Sequence, residues 1–134
     1  MDAQEKYHYW LEHAKYDLDS ADAMYKTGRW LYVAFMCQQA LEKLIKGLYG
    51  LYLDFEQIPR THNMRRLVTD FANELPHDIS EELYALFDLL SQHYLNHRYP
   101  DYIGDLLHQT TAESATALLE QTKEAFTWLQ TLKP

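Results

Sequence analysis

Residues 94–102 read YLNHRYPDY, and residues 59–66 read PRTHNMRR. The first stretch packs Tyr94, His97, Arg98, Tyr99, Asp101 and Tyr102 around Pro100. An arginine beside tyrosines is the inventory of a nucleotide pocket, where the guanidinium meets phosphate and a phenol ring stacks on a base. The second stretch gathers Arg60, His62, Arg65 and Arg66 at an expected helix start. Free backbone N–H groups and the helix dipole favour an anion there, although arginines near a helix start oppose that dipole. The structural alternative is a helix end: cations at a helix C-terminus are favoured anyway, and Pro100 is an ordinary stop signal.

Other chemistries find less support. His93 and His97 are four apart, so on a helix both point the same way, and Asp101 or Asp105 could complete a zinc set. Position 94 is Tyr, so the glutamate of an HExxH base is missing, and with seven histidines in the chain such a pair arises by chance. No metal site and no cofactor is therefore assigned. No GxSxG, Walker or GxGxxG pattern is present, and Cys37 has no histidine close in sequence.

These residues must be positioned by helices. The 134 residues suit one domain over 1–134 with a single core. Four glycines and four prolines are too few for a turn-rich β fold. Apolar residues recur at three and four over 3–26, with Gly28 as a stop. The second segment, 30–53, is the most apolar and reads as central or interfacial; Gly47 and Gly50 weaken its last turns. A short helix over 62–75 is expected after Pro59, capped by Thr61. The next runs from a cap at Asp78 or Ser80 to about Asn96. Residues 101–110 read as irregular. Thr110 and Glu113 form a capping box for a last helix over 112–132. The expected fold is all-α: an up-and-down antiparallel four-helix bundle with an additional short helix, five in all.

The face of the second helix carrying Phe35, Gln38, Gln39 and Glu42 reads as an outer face whose amides could meet across a dimer axis, so a homodimer is expected. The net charge of −8 argues against nonspecific nucleic-acid binding by the whole surface. A single cysteine excludes an internal disulfide. With no visible leader peptide and no apolar run long enough to span a bilayer, a cytoplasmic protein away from membranes is expected.

A set of these residues resembles the HEPN family, the higher eukaryotes and prokaryotes nucleotide-binding domain. The likeness rests on Trp10, Ala14, Asp17-Leu18 and Ala21, then on Tyr32 through Lys43 with its QQALEK core and Lys46 one turn on. Pro59, Thr61-His62 and Leu67 continue it, and Arg98-Tyr99-Pro100-Asp101 gives an RYPD motif. The resemblance implies a homodimeric bundle that binds a nucleotide or RNA, with a small nucleotidyltransferase as partner in a toxin–antitoxin or two-part system. It also raises metal-independent ribonuclease activity. That branch carries an arginine followed after four to six residues by a histidine, and no arginine here has that spacing; His108 lies too far beyond Arg98. A histidine from elsewhere, His62 or His97, would have to supply the base. The reading from sequence is thus a binding module with Arg98, Tyr99, Tyr102, His62, Arg65 and His97 as ligand residues. The alternatives are a ribonuclease with a rearranged Arg/His pair and a structural protein without ligand.

Overall fold

The computed structural model describes residues 1–95 and 98–134, and within them every regular element is helical. Six α-helices follow in order: α1 Ala3–Lys26, α2 Trp30–Tyr52, α3 Met64–Phe71, α4 Glu81–Ser91, α5 Pro100–Gln109 and α6 Ala112–Gln130. Two single 3-10 turns, Phe55–Gln57 and Ala72–Glu74, fill the connections.

The α1–α2 hairpin follows the sequence pattern. Asp2 caps α1 by accepting from the Glu5 amide at 2.8 Å, and Gly28 turns the chain at φ 73°, a conformation that suits a residue without Cβ. The two helices cross closely where Gly47 meets α1: a Cβ there would lie 3.0 Å from Trp10 Cβ. A Cβ on Gly50 would overlap the Phe55 ring. Both glycines are thus close-approach points rather than mere weak spots.

α2 is the central helix. It touches each of the other five α-helices, and its buried stripe includes Ala34, Cys37, Leu41, Leu44, Ile45 and Leu48. Phe71, Phe87, Leu90, Phe126 and Leu129 close on that stripe from α3, α4 and α6. Burial pushes the Cys37 thiol up to about 11. No described helix is long and apolar enough to cross a membrane.

Several boundaries differ from the sequence expectation. α3 begins at Met64 because Asn63, not Thr61, caps it, accepting from the Arg66 amide at 3.1 Å. Thr61 Oγ1 instead accepts from the Asn63 amide. Ser80 is the cap of α4, with the Leu83 amide at 3.1 Å. α4 ends at Ser91, earlier than the expected end near Asn96.

Residues expected to be irregular form α5. Pro100 not only stops what precedes it but occupies the first turn of a new helix, where its fixed φ and missing N–H are harmless, and Asp101 follows in the favoured acidic position. Tyr102, Ile103 and Leu106 of α5 pack on Leu31 and Phe35 of α2 with Leu95, a second small apolar cluster. The box at the start of α6 is Thr111 with Ser114, each side chain serving the other's amide. Thr110 closes α5 by donating to the Leu106 carbonyl at 2.6 Å. Among the described residues, six α-helices therefore stand where five were expected.

Candidate functional site

The residues at 38, 42 and 46 share one face of α2, being four apart. Gln38 and Glu42 are buried within the chain, 0% and 5% exposed, so they are not the outer face that the dimer reading required. The polarity of that stripe has another cause. The Glu42 carboxylate accepts from Gln38 Nε2 at 2.7 Å, from Lys46 Nζ at 3.1 Å, and meets His62 Nδ1 at 3.0 and 3.1 Å. Gln39 Nε2 extends the chain by donating to Gln38 Oε1 at 2.7 Å. A carboxylate removed from water needs such donors, because an unpaired buried charge is strongly destabilising. Phe35 and Gln39 are half-buried.

His62 reaches Glu42 because the 59–63 segment turns back over α2. The Thr61 amide donates to the Pro59 carbonyl at 2.9 Å, and Ser91 Oγ of α4, which donates to the Phe87 carbonyl at 2.8 Å, lies 3.3 Å from the His62 carbonyl. Facing a carboxylate, which can only accept, Nδ1 is the donor of this pair. The ring lies flat on Tyr94, centroids 3.5 Å apart and planes at 16°. Tyr94 is in turn 6.2 Å from the Phe35 ring, which links the polar chain to the small apolar cluster.

Arg98 stands at the exit from α4 and is exposed. Its Nε donates to the Tyr94 carbonyl at 3.2 Å and Nη2 reaches the Ser91 carbonyl at 3.5 Å, while the guanidinium lies 4.8 Å from the centroid of the Tyr102 ring. The Tyr102 hydroxyl donates to the Gln92 carbonyl at 3.1 Å. Both side chains thus hydrogen-bond carbonyls at the end of α4 and in the residues just after it. No carboxylate neutralises Arg98 among the described residues.

Between these groups opens a pocket of about 420 Å³ lined by His62, Asn63, Asp88, Ser91, Gln92, Tyr94 and Arg98. Of the ligand residues expected from sequence, His62 and Arg98 meet here, with Tyr94 of the same YLNHRYPDY stretch as Arg98 beside them. Tyr102 supports Arg98 from beneath. Tyr99 is 82% exposed and does not line the pocket. Arg65 is not available to an anion in the way the sequence suggested: Nε and Nη2 hold Asp88 at 3.0 and 2.9 Å, and its guanidinium packs on Tyr84. The Asp88 hydrogen bonds raise its already high pKa. His97 lies outside the described residues. His93 points inward, with Nδ1 3.1 Å from the Leu89 carbonyl, and its desolvation lowers the imidazole pKa. No group of three metal-ligating side chains gathers among the described residues.

Sequence reasoning missed Glu42 as the anchor of His62 and Tyr94 as its stacking partner. The i, i+4 spacing of Gln38, Glu42 and Lys46 was the available signal for the first. The second joins residues far apart in sequence.

A family model described as "HEPN domain" matches residues 7–132. The fold is similar to two solved structures. One is TT1696 from Thermus thermophilus, 26% identical with a TM-score of 0.77, covering 94% of this chain and 97% of that one. The other is ST0689, described as an archaeal HEPN homologue, 22% identical with a TM-score of 0.72, covering 96% of this chain and 98% of that one. No curated protein matches.

Proposed function

The chain belongs to the HEPN family, and within it we propose that this protein binds a nucleotide or another phosphate-bearing ligand in the pocket at the end of α4. The observation that carries the reading is Arg98: exposed, unopposed by any described carboxylate, and set on the rim of a pocket beside His62 and Tyr94. An arginine fork suits phosphate. Tyr102 beneath the guanidinium holds it in place. A nucleotide titration followed by NMR tests this: amide shifts should centre on Asn63, Ser91, Gln92 and Arg98, and shifts scattered over the whole surface would sink the idea.

A second reading, metal-independent cleavage of RNA, is favoured by one feature. The Glu42–His62 pair supplies an oriented imidazole in the pocket that also holds Arg98. His62 would take the 2′-hydroxyl proton and Arg98 would stabilise charge on phosphorus. Single-stranded RNA incubated with the protein in EDTA decides between the readings. Cleavage abolished by His62→Ala supports the enzyme; intact RNA leaves a binding module.

The family resemblance also motivates a homodimer and a small nucleotidyltransferase as partner. Tyr32, 50% exposed on α2, and Leu107, 58% exposed on α5, are apolar groups that a protein contact would cover. Sedimentation equilibrium tests the dimer, and co-purification with a co-expressed nucleotidyltransferase tests the partner.

A further inference from the structure

A second, larger concavity of about 720 Å³ runs along the trough between α4 and α6. Both helices pack on α2 and barely touch each other, which leaves the trough open. Its floor includes Leu83, Leu89 and Trp128; Leu89 is 41% exposed and the other two are half-buried. Asp78 and Glu82 edge it on the α4 side and Glu124 on the α6 side. No lysine, arginine or histidine lines it. None of the three carboxylates is ion-paired among the described residues, whereas Asp17, Asp22, Glu42 and Asp88 each hold a cation.

We propose that this trough docks a cationic amphipathic helix of a partner protein. The apolar floor would take leucine-like anchors at i, i+3 or i+4, and i+7, and the flanking carboxylates would meet lysines or arginines beside them. The eleven residues of α4 give a seat of about 16 Å at 1.5 Å per residue, three turns of a partner helix. Charge decides between occupants. A second copy would bring the same carboxylates and another net −8 to the contact. Nucleic acid would set phosphates against Asp78, Glu82 and Glu124. A basic helix alone matches both the floor and the rim. The trough and the Arg98 pocket favour opposite charges, so this proposal stands independently of the nucleotide reading.

The test uses two synthetic helix-forming peptides of about 18 residues with identical leucine anchors, one flanked by lysines and one by glutamates. Titrated against the full chain by anisotropy, the lysine peptide should bind at least about tenfold tighter, and more weakly as salt rises. Leu89→Asp, and separately Glu82→Lys with Glu124→Lys, should each lower its affinity about tenfold or more. All three positions are exposed, and circular dichroism confirms that the variants fold. Equal binding of the two peptides, or unchanged affinity in both variants, would overturn the proposal. So would sedimentation showing that Leu89→Asp splits a homodimer, which would assign the trough to a second copy.

Discussion

His62 lies flat on Tyr94, ring centroids 3.5 Å apart, while its Nδ1 meets the buried carboxylate of Glu42. One imidazole thereby ties three parts of the chain together: the middle of α2, the segment before α3 and the exit from α4. Stacking fixes the plane of the ring and the carboxylate fixes its orientation within that plane. The pocket wall beside Arg98 is held by this contact rather than by local helix propensity.

Glu42 should therefore matter more to stability than an ordinary helix glutamate. Glu42→Ala leaves Lys46, Gln38 and His62 without their shared acceptor, and breaking a buried ion pair on one side costs about 3–5 kcal/mol. Lys46 retains partial solvent access, so the expected loss in urea denaturation is toward the lower end, about 3 kcal/mol. A loss below about 1 kcal/mol, the range of exposed pairs, would show that the network carries little.

Much of this frame is legible in the sequence, and the limits are physical. α1 and α2 announce themselves through apolar spacing and the Gly28 stop. α5 does not, because Pro100 carries two meanings, the end of one helix and the first turn of another, and only the packing of Ile103 and Leu106 on Leu31 selects the second. Gln38 and Glu42 look like surface residues, since polarity usually marks solvent. Both are buried in the fold, and His62, which a loop beginning at Pro59 brings back over α2, meets the Glu42 carboxylate there. Arg98 stood out in the sequence as a cation beside tyrosines, and the structure leaves it exposed on the wall of the pocket. That Arg65 is occupied by Asp88 was not legible, because the pair joins α3 to α4 across residues far apart in sequence.

Cys37 should be inert in the folded protein. It is fully buried, and its thiol is held near 11, so thiolate is scarce at neutral pH. A disulfide reagent such as Ellman's should react with no thiol in native buffer over minutes and with one per chain in guanidinium. Prompt reaction in the native state would contradict the packing of α2 against α6.

His93 should make stability fall with mild acid. Burial depresses its folded pKa below the unfolded value of about 6.5, so the unfolded chain binds the proton more readily. The contribution of neutral His93 is complete above about pH 6.5 and is lost as pH drops from there toward the depressed folded value. The melting temperature should decline from pH 7.5 to 5.5, and His93→Gln should flatten that slope. A slope unchanged by the substitution would place the responsible proton elsewhere.

The Arg98 guanidinium, as the contact for an anionic ligand, is the centre of the proposed site. Its role is read out by calorimetric titration of ATP into the wild-type chain and into Arg98→Ala. Saturable binding is expected, and the substitution should weaken it by at least about tenfold, as for loss of a charge-assisted hydrogen bond, with a melting temperature within about 3 °C of wild type. Equal affinities in the two proteins would refute that role, and would leave Arg98 only its bonds to the Tyr94 and Ser91 carbonyls.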